Sequence, residues 1–597
     1  VRIRLQGDRA PIFPLLGVLA VFLLALQALA QSNDASEASE TIHGTVLNSV
    51  TREPISGALV TSPDSRFATR TDPQGRFEFT LPKTETVPSP VPQAVTEAPA
   101  AAEPEAASSS EVVSPITDLG SESNRPIVLS ARKPGFLEND NLSAIGLAQH
   151  AKEITLRLTP EAVVAGHVSL PTSEAPDRIQ LQLFRRSVQN GVAQWIPAGN
   201  ATSKSNGDFR FADLTAGTYK LLTTELLDSD PLNGPHAQLY GYPPVYYPDA
   251  DDFASAAEIT LSPGETTQPR IELVKQPYFR VKIAVANLQS PVYGMNINVA
   301  SSKGHTGPGY ALRYNESAQQ IEGTLPSGTY TVEAIAYGQA YVAGVMTLVV
   351  KGAPVTAKMD FGPSSSVVLD VKEEFNGNPP AGSLTFTRGQ RSFQVRGPRR
   401  YLNAFLESAD EFADPKSGFL REPSGPNDSA LEIANVLPGR YWVRVRSSYG
   451  YPASMRVGSA DLLREPLVVG TGGGTIPVDV VMRDDSAVIA GQVEELNDAP
   501  APAVQGVPPA FVYCVPTLDS AGQFSEIGVA PDGSFSSPPL PPGDYRVLVF
   551  DQQQTGLEYR NPEAMKIYDG RGPVVHVAGG QTEHVTLQLS STRGSGE

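Results

Sequence analysis

Cysteine is nearly absent: Cys514 is the only one in 597 residues. No disulfide can form within the chain, so its domains must be held by core packing alone. Cys514 lies in Phe511-Val-Tyr-Cys-Val515 and reads as a buried small hydrophobe, because a reactive thiol needs an open, electropositive site and none is legible around it. Histidine is also scarce, with seven scattered residues. Basic charge is in deficit. Lys and Arg number 46 against 64 Asp and Glu, a formal net charge of −18. That argues against a nucleic-acid partner, since phosphate binding needs a clustered positive surface, and it suits solubility outside the cell. Sustained 3.6-residue periodicity is missing as well, which disfavours helical bundles and βαβ folds. What the chain does have is 52 Gly and 53 Pro punctuating short β-branched and aromatic runs. This is the composition of all-β modules.

One device recurs four times. Leu214-Thr-Ala-Gly-Thr-Tyr219, Leu325-Pro-Ser-Gly-Thr-Tyr330, Val436-Leu-Pro-Gly-Arg-Tyr441 and Leu540-Pro-Pro-Gly-Asp-Tyr545 each place an apolar residue, two free positions, Gly, a polar residue and Tyr in order. The Gly permits a tight turn, and the Tyr opens an alternating run such as Tyr441, Val443, Val445 against Trp442, Arg444, Arg446. Each copy is therefore a turn feeding a half-buried strand. The Tyr residues are 111, 111 and 104 residues apart, too far for a solenoid unit and close to the size of one β-sandwich. The four Tyr are expected to pack inward with the hydroxyl reaching backbone at the sandwich corner.

Residues 1–30 read as an export signal, with Arg2, Arg4 and Arg9 before an apolar run from about Leu15 to Leu26, and Ala28-Leu-Ala30 as a small-x-small cleavage pattern before Gln31. Its removal takes three Arg and one Asp from the chain and leaves a net charge of −20. The alternative is an uncleaved anchor, because the stretch from Pro11 to Ala30 approaches membrane-spanning length. With the signal cleaved, no apolar stretch downstream would span a membrane.

Residues 31–40 read as a linker, and the first domain as 41–160. Ile42-His-Gly-Thr-Val46, Pro54-Ile-Ser-Gly-Ala-Leu-Val60 and Thr71-Asp-Pro-Gln-Gly-Arg-Phe-Glu-Phe79 give strand, strand, turn, strand. Asp72, Pro73 and Gly75 suit a type I turn, after which Phe77 and Phe79 point to one face and Arg76 and Glu78 to the other. These motifs resemble the carboxypeptidase regulatory-like domain, a small prealbumin-like β-sandwich also grouped with carbohydrate-binding-like folds. The resemblance is strongest over residues 42–82 and 125–160 and weaker, though repeated, beyond. Residues 83–124, rich in Pro, Ala, Ser, Glu and Val, interrupt the family pattern after Leu81-Pro82, and their low bulky apolar content predicts a disordered insert.

The remainder divides into 161–275, 276–361, 362–483 and 484–590, with a polar tail at 591–597. The expected architecture is all-β: a tandem array of about five Ig-like or prealbumin-like β-sandwiches. In the fourth domain, Tyr401, Phe405, Ala409 and Phe412 recur near helical spacing, with Asp414-Pro415 as a stop, which predicts a helix or a long loop.

Few residues suggest chemistry. His150-Ala-Lys-Glu153 has the spacing of a metallocarboxypeptidase zinc pair, relevant because the resembling domain accompanies such enzymes, but it abuts the strand Ile154–Leu158 and reads as a solvent-facing pair. Gly470-Thr-Gly-Gly-Gly-Thr475 lacks the Lys-Ser/Thr of a phosphate cradle and reads as a β-loop. Asp249, Asp251 and Asp252 form a weak calcium candidate beside the plainer reading of an acidic turn. No Gly-x-Ser-x-Gly elbow or Cys/His pair is present, so neither a catalytic residue nor a cofactor is expected.

The ligand candidates are aromatic, because flat side chains on β-sandwiches can stack on the C–H faces of sugars. They are Trp442 with Arg444 and Arg446, and the group Tyr240, Tyr242, Tyr246 and Tyr247. The alternative places Trp442 at an interdomain contact and wraps the Tyr segment around its own sandwich. The expectation is thus an exported, non-catalytic binding or adhesion scaffold at a bacterial envelope, periplasmic, cell-surface or secreted. The resemblance implies polysaccharide as one partner, and an envelope protein is the other. A structural spacer or docking rod, and an accessory part of a peptide- or polysaccharide-processing system, are the alternatives.

Overall fold

The computed structural model describes residues 40–81, 128–170 and 178–589, apart from short stretches inside those ranges. The proposed signal at 1–30, the insert at 83–124, His150 and the tail at 591–597 lie outside the described residues. Contacts divide the chain into two compact units, Val1–Pro134 with Glu138–Thr159, and Gly135–Leu137 with Pro160–Glu597. The first holds one β-sandwich and the second holds four.

All five sandwiches are built to one plan. In each, the opening strand pairs in parallel with the last: Glu40–Asn48 with Glu153–Leu158, Ala162–Ser169 with Arg270–Glu272, Gln276–Ala286 with Val355–Asp360, Ser365–Glu374 with Gly474–Arg483, and Val488–Glu494 with Thr582–Gln588. Parallel first and last strands carry the chain in at one end of a sandwich and out at the other, which is what tandem connection requires. The facing sheet of the last four is centred on the strand that follows each Gly-x-Tyr turn, paired antiparallel with the strand three strands earlier, as Gly543–Phe550 is with Phe511–Pro516.

The repeated Tyr explains why the turn is so uniform. Tyr219, Tyr330, Tyr441 and Tyr545 are each 3% exposed or less, and each donates its hydroxyl hydrogen bond to the carbonyl four residues earlier, at 2.6, 2.9, 2.9 and 2.7 Å. The ring adds to the core while the bond satisfies the one polar atom it carries inward. The Gly two residues earlier leaves room for that ring. At Gly328 a Cβ would lie 2.8 Å from Tyr330 Oη, and Gly217, Gly439 and Gly543 take φ of +149°, +159° and +155°.

Around these tyrosines alternate residues fill each core. Phe77 and Phe79 are buried between exposed Arg76 and Glu78 in the first sandwich, and Val367, Leu369, Leu406, Ile433 and Val480 gather with Tyr441 in the fourth. Cys514 is fully buried in the fifth, where burial pushes its thiol up to about 12.

Over residues 401–409, the described part of the stretch expected to be a helix or a long loop, no helix forms. A single 3-10 turn, Gly397–Arg400, precedes a strand, Leu402–Ser408, whose Leu402, Ala404 and Leu406 are buried. The period-two pattern of these smaller residues wins because it faces the core, while the aromatic spacing is incidental; Phe412 lies outside the described residues.

Two segments depart from the plan. In the second sandwich, residues 243–250 and 252–258 fold over the outer face of the Tyr219 strand, where Phe184, Trp195, Leu222, Tyr246 and Phe253 form a second small core. Lys220 is buried beneath it, with Nζ donating to the carbonyls of Phe253 and Ala254 at 2.9 and 3.1 Å and lying about 5 Å from the rings of Trp195 and Phe253. In the fifth sandwich, residues 551–573 cover the same outer face, with Leu557 over Tyr513, Val515, Leu548 and Phe550. Among the described residues no helix is long and apolar enough to cross a membrane.

Candidate functional site

The outer face of the Tyr441 strand takes neither of those apolar solutions. The strand Gly439–Ser447 turns Tyr441 and Val443 inward and Trp442, Arg444 and Arg446 outward, and its neighbour Leu402–Ser408 sets Glu407 across from Trp442 and Phe405 across from Arg444. Arg444 Nε donates to Glu407 Oε2 at 2.8 Å, with both side chains largely enclosed, and its guanidinium lies 5.4 Å from the Trp442 ring centroid. Arg446 is exposed and sits 5.0 Å over Phe405, which stacks on Phe419.

Two other sandwiches close on this face. From the second comes the hairpin of Gln180–Gln189 and Val192–Thr202, whose two-residue tip is Asn190-Gly191, at φ +49° and +76°. These positive angles match the primed turn that the twist of a two-residue hairpin favours. Asn190 Nδ2 donates to Glu407 Oε1 at 2.7 Å, and Gln194 Nε2 donates to the Ser408 carbonyl at 3.3 Å. From the fifth sandwich comes Glu558-Tyr559-Arg560 of the covering segment. The Arg560 guanidinium lies 4.8 Å from the Trp442 centroid and 5.8 Å from that of Tyr559, and its backbone N–H donates to Gly191 O at 3.2 Å. Tyr559 stacks flat on Phe524 at 4.0 Å, and Gly191 lies against the Tyr559 ring so closely that a Cβ there would meet ring carbons at 2.6 Å. Arg186 on the second-sandwich hairpin pairs with Glu558 at 2.5 Å.

The junction therefore holds three arginines and two glutamates around one indole. Burial, and then the neighbouring Arg444, lower the pKa of Arg560. Burial pushes Glu558 upward, but the hydrogen bonds from Arg186 and Asn561 outweigh it and hold its carboxyl below the ordinary range. Arg444 Nη2 and Arg560 Nε are enclosed without a hydrogen-bond partner, so the face of Trp442 is what each cation has in their place. This arrangement braces three sandwiches against one another.

The other candidate residues are dispersed. Tyr240 is 41% exposed, with Lys275 Nζ 5.5 Å over its ring. Tyr242 and Tyr247 lie against the second core, and Tyr246 is buried edge-on to Phe253 in the outer aromatic cluster. The four do not form one flat platform. Asp249 is exposed, Asp252 accepts hydrogen bonds from the Ser255 backbone and hydroxyl, and Asp251 lies outside the described residues. Among the described residues no three His, Cys, Asp or Glu side chains gather as metal ligands. Gly470–Gly473 is the turn between the strands Leu467–Val469 and Gly474–Arg483, and Gly474 and Thr475 open the second of them.

Sequence reading passes over Asn190-Gly191, Tyr559 and Arg560. The Asn-Gly pair between two alternating runs carries a legible hairpin signal, but its docking partner has none.

No protein-family model matches the chain, and no curated protein does. Solved structures that match include the TIE protein of Bacillus anthracis, 8% identical, covering 78% of this chain and 79% of that one at a TM-score of 0.15. A minor pilin of Streptococcus agalactiae is 12% identical, covering 34% and 95% at 0.16, and a shaft pilin of Lactobacillus rhamnosus GG is 12% identical, covering 35% and 98% at 0.14. At TM-scores of this size the likeness carries no functional argument.

Proposed function

We propose that this chain is an exported, non-catalytic binding and adhesion scaffold of a bacterial cell envelope. The observation that carries the reading is the junction at Trp442, where a cluster of aromatic and charged side chains fixes sandwiches to one another. A chain that traverses each sandwich end to end and then braces the second, fourth and fifth together suits presentation of surfaces at a fixed geometry. Its first copy resembles a carboxypeptidase regulatory-like domain, which points to polysaccharide as the ligand class. Among the aromatic candidates Tyr240 is the most exposed, though Lys275 lies over its ring, and Trp442 with Arg444 and Arg446 would serve only at the rim of the junction.

The same junction favours one other reading, a spacer or protein-docking rod that binds no sugar. A polysaccharide and glycan array separates the two when the chain is run beside folded Tyr240→Ala and Trp442→Ala variants. Retention that drops about tenfold or more in either variant supports the polysaccharide reading and locates it, since that is the loss expected when about 1.4 kcal/mol of stacking is removed. Absence of binding across a broad array removes that reading and leaves the spacer.

A further inference from the structure

A hairpin from the second sandwich is built into the sheet of the third. Leu226–Asp228 pairs with Leu239–Tyr242, and Leu239–Gly241 pairs in turn with Gln276–Tyr278, so the third sandwich's opening strand takes its outer neighbour from the chain that precedes it. The attachment is close. Gln238 Nε2 donates to Tyr278 O at 2.7 Å, Lys275 pairs with Asp228, and a Cβ at Gly241 would lie 2.9 Å from the Tyr278 ring and from Leu226 O.

At the root of this hairpin stands Glu225. Its Oε2 accepts from the Ala311 N–H at 3.3 Å, while its Oε1 and the hydroxyl of Tyr278 are both enclosed and neither has a well-formed hydrogen bond. The two groups lie near enough that each alters the other's titration. Among the described residues, the other titratable side chains turned to this spot are two phenols. Tyr310 lies just before the strand Leu312–Asn315, Tyr330 lies on Gly328–Gly338, and their rings meet edge-on at 5.2 Å. Burial pushes Glu225 up to about 7, against the opposing pull of the Ala311 N–H and the Tyr278 hydroxyl.

We propose that this hairpin is a pH-gated latch between the second and third sandwiches, closed when Glu225 is protonated and loosened when it ionises. A carboxylate can accept from the Tyr278 hydroxyl but leaves a charge in an enclosed, phenol-lined site with no ion pair among the described residues; a protonated carboxyl removes that charge and can still share a hydrogen bond with Tyr278 Oη. The raised value fixes the direction of the pH response. A carboxyl held above its ordinary 4.5 contributes stability that is complete below about 4.5 and is lost as pH rises through about 7.

The test is amide hydrogen exchange on the full chain, corrected for intrinsic rates. Between about pH 5 and pH 8 the strands 226–228, 239–242 and 276–278 should lose protection by on the order of tens of fold, while Gly543–Phe550 in the fifth sandwich does not change. In Glu225→Gln the hairpin should keep its low-pH protection across the whole range. An unchanged profile in the natural chain, or an equal pH response in Glu225→Gln, overturns the latch. Should that variant fail to fold, a carbon-13 carboxyl titration of the natural chain decides: Glu225 ionising in the ordinary carboxylate range also overturns it.

Discussion

The Tyr545 strand and the Tyr441 strand are alike on one side and unlike on the other. Both turn a tyrosine inward to the same carbonyl four residues back. Outward, the first presents Leu548 and Phe550, which residues of its own sandwich cover, whereas the second presents Trp442 and Arg444, on which two other sandwiches close, with Arg446 exposed beside them. An apolar outer face must be buried wherever the sandwich goes, so its cover comes from the adjoining chain. A face of indole and guanidinium tolerates water, so it can be met by a distant part of the molecule through ion pairs and ring contacts.

The largest effect that would test this contrast is at Leu548, which is 3% exposed. Leu548→Ala should cost the fifth sandwich about 2–5 kcal/mol in denaturant unfolding, and a cost below about 1 kcal/mol would mean that its cover is not a true core. Next is the junction. A double-mutant cycle of Trp442→Ala and Arg560→Ala should give a coupling of about 1–2 kcal/mol with the fourth core intact, and a coupling near zero would show that the two sandwiches merely touch. The smallest effect serves as the control. Tyr441→Phe should cost about 1 kcal/mol for its bond to the Leu437 carbonyl, and Tyr545→Phe more, since its hydroxyl also accepts from the Gln523 N–H at 3.2 Å; a cost at Tyr545 no larger than at Tyr441 would break that account of the inner faces.

Much of the fold was legible because it is local. Alternation in Arg76–Phe79 and in Tyr441–Val445 placed side chains on the correct faces, and the Gly-x-Tyr turn marked four strands. The Leu402–Ser408 strand was not legible because two periods overlap there, and only the position of the core chooses between them. The candidate site was legible only in part. Trp442 stands out by type and position, but Arg560, which meets it, and Asn190-Gly191, which meets Glu407 and Tyr559 beside it, lie 118 and 252 residues away in the chain.

By itself, then, the sequence determined the all-β class, the repeat and the tyrosine corners, since each rests on residues within one turn or strand. Only the tertiary structure decided which outer face is covered by what, and that the Leu226–Tyr242 hairpin belongs to the third sandwich's sheet. Those outcomes depend on contacts between segments far apart in the chain, and no local pattern encodes a partner that folding alone brings near.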